Sequence, residues 1–166
     1  MDTSPASPHL VQLADTLWYE RRLLEFLLFK LVSANLVLTS GDHRFVTPAV
    51  AEVERVMEAV RVAETDRSRV LAQAAHAMNA SPDTLTLSYL AKHAPPALQA
   101  DFADHRTGFM ELVNEIESLT RENRRLASVS LDDLRDTLGL PENLTYDAAG
   151  RRGTAAQRPT TIDRIL

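Results

Sequence analysis

The chain has 166 residues, 45% of them apolar, with a formal net charge of −5 and a pI near 5.5. That length is enough for one domain with a real core, and the apolar share excludes wholesale disorder. The acidic balance argues against nucleic acid as the main partner, and the absence of cysteine excludes disulfides, thiolate metal sites and thiol nucleophiles.

The first predicted element carries the strongest signal. Leu10, Leu17, Leu24, Leu31 and Leu38 lie seven residues apart without a break, and Leu13, Leu27 and Ala34 fill the companion row. Only Glu20 interrupts it. A sustained a/d heptad of this kind is a seam for other helices. Ser7 and Pro8 mark its start and Gly41 its stop, which predicts a helix over 8–39. Between Leu23 and Val32 the sequence is apolar around nearly the whole helix, including Phe26 and Phe29. Either both other helices pack around it, or one side takes another chain. Leu23 to Leu38, at 16 residues, is shorter than the roughly 20 of a membrane span and contains Glu25 and Lys30, so no membrane insertion is expected. Met1 to Pro8 has no signal-peptide pattern.

A second helix is predicted over 47–79, with Thr47 as N-cap and Pro48 at its first position. Val50, Val53, Met57, Val60, Leu71, Ala74 and Met78 form its seam, broken by Glu64 and Arg67. Opposite charges three or four residues away predict local ion pairs for these two. Leu85, Leu87, Tyr89 and Leu90 read as a short helical turn. A third long helix is predicted over 95–138, with a seam of Leu98, Phe102, His105, Phe109, Leu112, Ile116, Leu119, Asn123 and Leu126. Gly139 and Pro141 end it. Residues 151–166 carry Arg151, Arg152, Arg158 and Arg164 against Asp163 alone, a +3 segment beside a body of −8. It reads as a flexible basic tail after a helical domain over 1–150.

The expected fold is therefore all-α: a long antiparallel three-helix bundle or coiled-coil rod with a flexible C-terminal tail. Chemistry is not expected. None of the five histidines follows a Glu by three residues, as a di-iron bundle requires, and no phosphate loop or nucleophile elbow occurs. Neither an enzymatic activity nor a cofactor or metal is anticipated.

The segment Glu115-Ile116-Glu117-Ser118-Leu119-Thr120-Arg121-Glu122-Asn123-Arg124-Arg125-Leu126, the leucine-rich stretch after it, and Tyr146 to Gly150 together resemble the FlgN family of flagellar export chaperones. The leucine-rich first helix is similar as well, so the resemblance spans about residues 8–150. The slot one turn before Asn123, where such families often carry a second asparagine, holds Leu119 or Thr120 here. The resemblance implies a cytoplasmic chaperone that holds the hook-associated proteins FlgK and FlgL before type III export, with the export apparatus as a further partner. It also places client contact in the C-terminal region. Ile116, Leu119, Asn123, Leu126, Leu131, Leu134 and Leu138 recur there at helical spacing, and with Tyr146 they are the expected client-binding residues. The alternative is a structural homo-oligomeric coiled coil with no exchanging client. Breaks in the seams at Glu64, Arg67, His105 and Asn123 tilt the balance toward an exchanging interface.

Overall fold

The computed structural model describes residues 7–138 of the chain, with side chains over residues 8–132. Four helices follow one another: α1 (Ser7–Ser40), α2 (Val46–Ala77), the short α3 (Leu87–His93) and α4 (Pro96–Leu138). Single 3-10 turns at His43–Phe45 and Pro82–Thr84 join them, and no strand occurs among the described residues. The all-α architecture is as the heptads predict.

α1 is the shared element. Its five heptad leucines are all buried, as are Leu13, Leu27 and Ala34. α2 and α4 both pack against it. Cross-contacts fix their directions. Glu20 meets Arg67 and Lys30 meets Glu52, so α2 runs antiparallel to α1. Arg21 meets Asp104 and Asn35 meets Asn123, so α4 runs parallel to it. α3 packs on α4, and the side chain of Thr86 caps it by accepting from the Tyr89 amide.

Gly41 adopts φ +70, the left-handed turn that ends α1 and that glycine tolerates best. Asn79, at φ 51, makes the equivalent turn after α2. The start of α2 differs from expectation. Asp42 accepts from the Arg44 amide and caps the 3-10 turn instead, which feeds straight into the helix at Val46. Thr47 and Pro48 therefore sit inside the first turn.

The α2 seam is also corrected. Val60, Arg67 and Ala74 face the core as predicted, but the companion row is Val56, Ala63 and Val70. Val50 and Met57 are exposed, while Val53 and Leu71 are half-buried at the edge. The true stripe alternates by four and three throughout. Small Ala63 and charged Arg67 hide it, and the larger Met57 and Leu71 draw the eye one residue off.

The seam breaks have internal partners. Glu20 is 1% exposed and accepts a hydrogen bond from Arg67 Nε at 2.7 Å. The interruption of the α1 stripe thus meets the interruption of the α2 stripe, instead of the local ion pair expected for Arg67. Burial pushes the Glu20 carboxyl above its ordinary range, Arg67 pulls against this by charge and hydrogen bond, and the Glu64 carboxylate adds to the rise. His105 is buried between Trp18 (centroids 5.4 Å, edge-on) and Phe109, and neither ring nitrogen has a hydrogen-bond partner. Burial, then the Arg21 guanidinium, hold its pKa below 6.5, while the Asp104 and Asp101 carboxylates act in the other sense. Arg21 itself lies across α4 above Gly108, where a Cβ would stand 2.5 Å from its Cζ. These residues belong to the fold, so they no longer argue for an exchanging surface.

Two predictions follow from this packing. Glu20→Ala should cost about 3–5 kcal/mol by urea unfolding, because it strands a buried guanidinium, whereas Glu20→Leu with Arg67→Leu should be near neutral. His105 has a folded pKa below its unfolded 6.5, so its stability contribution is full above that pH and lost as pH falls below it. Melting temperatures of His105→Phe should therefore decline less than wild type on acidification from neutral pH past 6.5.

Candidate client-binding surface

The candidate residues form a gradient along α4 from core to solvent. Ile116 is 7% exposed and belongs to the core cluster, and Leu119 is half-buried against it. Of the candidate row, Ile116 is therefore a position packed within the chain. Asn123 is the last lateral clasp. Its Nδ2 donates to the Leu31 carbonyl at 2.9 Å, and its Oδ1 accepts from Asn35 Nδ2 at 2.9 Å. The asparagine is therefore committed within the chain, where it sets the register of α4 on α1.

Beyond that clasp α1 ends before α4 does. α1 ends at Ser40, five residues after Asn35, while α4 continues to Leu138, fifteen after Asn123. At 1.5 Å per residue, α4 projects about 15 Å past the end of α1. No break occurs at Ser130 to Asp133; the helix simply continues. Leu126 is half-buried at the base, Leu131 is 53% exposed and Val129 is exposed on another face. The side chains of Leu134 and Leu138, and all of Tyr146 and the 151–166 segment, lie outside the described residues.

Two ion pairs lie along this stretch. Arg125 grips Glu122 through two hydrogen bonds of 2.7 and 3.0 Å, and Arg121 lies 3.7 Å from Glu117. Arg125 holds the Glu122 carboxyl below its usual range. Such exposed pairs add little stability.

Two further features were not resolved by sequence. A cavity of about 500 Å³ opens between α1, α2 and α3, walled by Leu13, Leu17, Leu71, Leu87 and Leu90 with Arg67 at its floor. The outward face of α1 is bare: because α2 and α4 share one side of the helix, Trp18, Tyr19, Phe26, Phe29, Val32 and Leu36 remain exposed. The heptad predicts the buried side well, and nothing in it says that both partners will choose the same side. The whole of Pro8–Ser40 is also long and apolar enough, by length and composition, to cross a membrane, a longer stretch than the 16 residues picked out by sequence. Its leucine stripe is engaged by α2 and α4. Among the described residues no group of three or more potential metal ligands converges.

Comparison with known proteins yields one family. The family model described as FlgN protein matches residues 1–152, ending just past Gly150. No curated protein and no solved structure matches significantly.

Proposed function

The chain belongs to the FlgN family, a family of flagellar export chaperones and not of enzymes, and from that premise we propose that it binds the C-terminal helical region of hook-associated proteins of the FlgK/FlgL type in the cytoplasm. Binding there keeps the client from assembling before export, and the complex is delivered to the export apparatus. The observation that carries this reading is the projecting end of α4, with Leu126 at its base and Leu131 half in water. A client end helix destined for a coiled-coil contact in the filament is sticky alone. The free end of α4 offers it a matching partner, with Leu131, Leu134 and Leu138 at i, i+3 and i+7 as anchors. Tyr146 completes the proposed set. Ile116, Leu119 and Asn123 support it from the body rather than touching the client.

The physical logic favours this end over the rest of α4. Upstream, the apolar row is already covered by α1, so a client would have to displace a formed core. Downstream, covering Leu131 costs nothing in lost intramolecular contact and gains burial of about 1.5–3 kcal/mol per large side chain.

The test is calorimetric titration with a C-terminal helical fragment of a FlgK-type protein. Leu131→Ala and Leu134→Ala should each weaken binding by about 1 kcal/mol or more, the scale of an interface anchor. Their melting temperatures should stay close to wild type. Unchanged affinity in both variants would reject the site.

A further inference from the structure

The outward face of α1 carries a second heptad. Val11, Asp15, Trp18, Arg22, Glu25, Phe29, Val32 and Leu36 alternate by four and three, and all eight are exposed. Tyr19 and Phe26 flank them, also exposed, with Phe26 and Phe29 stacked at 6.2 Å between centroids. Phe29 is 58% and Leu36 66% exposed. Apart from Trp18, whose ring meets His105 edge-on, this coiled-coil seam has no partner among the described residues. A monomer normally leaves apolar patches of only a few hundred Å² in water.

We propose that this face is a two-fold antiparallel interface with a second copy of the chain, centred between Leu23 and Leu24. The seam is complementary to itself about that point. With the helices antiparallel and fully overlapped, Val11 meets Leu36 of the other copy, Trp18 meets Phe29, and Arg22 meets Glu25. Each contact occurs twice, and each pairs one row of the heptad with the other. The centre is also the midpoint of Ser7–Ser40, so the whole helix is used. Asp15 opposite Val32 is the one poor match, and it falls away from the centre.

The charges select this arrangement. Arg22 has no ion-pair partner within the described chain, and Glu25 has only the longer 3.6 Å contact to Arg21. In a parallel dimer Arg22 would face Arg22 and Glu25 would face Glu25. Sliding the antiparallel pair one heptad in one direction sets Asp15 against Glu25, and in the other direction sets Arg22 against Val32 and Glu25 against Phe29. Only the central register pairs opposite charges and leaves the aromatics together. Lys30 does not disturb it, since it is held sideways by Glu52 at 3.0 Å and lies over the rings of Phe26 and Phe29. The same charge geometry disfavours an unrelated apolar helix as occupant, because Arg22 and Glu25 would then be buried without partners. The interface uses no residue of α4, so it is independent of the client site and requires no client.

Sedimentation equilibrium of the full chain alone, from low micromolar to submillimolar concentration, tests it. Wild type should reach twice 18.4 kDa. Phe29→Asp should stay monomeric with an unchanged circular-dichroism spectrum and a melting temperature that no longer rises with concentration. Arg22→Glu should raise the dimer Kd about tenfold or more by placing like charges together, and Arg22→Glu with Glu25→Arg should restore it. Because the chain has no cysteine, Trp18→Cys with Phe29→Cys should give a disulfide-linked dimer on oxidation, which Phe29→Cys alone should not. A wild type that remains at 18.4 kDa throughout, a Phe29→Asp dimer as tight as wild type, or a charge swap no tighter than Arg22→Glu would each overturn the proposal.

Discussion

One stripe of one helix organises this protein. The leucine heptad of α1 is the only surface that both α2 and α4 use, and everything else is placed by where those helices sit on it. Because the stripe is narrow, the two partners share a single side. Two consequences follow. The opposite side of α1 keeps its aromatics in water. And α4, running parallel to α1 but longer, must leave the body where α1 ends.

A purely apolar heptad specifies contact but not register, since helices can slide by seven residues with little penalty. The polar residues within these seams remove that freedom. Glu20 has its partner only when Arg67 is opposite, and Asn123 finds both the Leu31 carbonyl and the Asn35 amide only at one height. A shift of one heptad would bury an unpaired carboxylate against α2 and an unsatisfied amide against α4. Each costs far more than the leucine contacts would distinguish. Register in turn fixes how far α4 projects, so the buried polar residues determine the size of the free surface without touching anything bound there.

Much of this was legible in the sequence. The three long helices, the turn at Gly41 and the buried leucine stripe all follow from heptad spacing and turn chemistry. What was not legible has a common cause. Residue type along one helix does not reveal what stands across from it. Glu20 and Arg67 each read as a flaw in their own helix and become a pair only when the helices are laid together. By spacing alone His105 and Asn123 fit a register-setting seam as well as an exchanging interface, and both are committed inside. For the same reason Ile116 could not be told from Leu131 by spacing: one lies under α1 and the other beyond its end. The α2 seam was misread by one row because Ala63 is small, not because its period is weak.

The functional account follows from this geometry. The helix α4 continues past the end of α1, and the client docking proposed for this FlgN-family chain uses that end. Hydrogen–deuterium exchange on the full chain, with and without a C-terminal helical fragment of a FlgK-type protein, measures this most directly, since amide protection reports local opening segment by segment. The account predicts that added client slows exchange over residues 126–138 and leaves α1 and α2 unchanged. Protection confined to α1, or to the cavity between α1, α2 and α3, would contradict it.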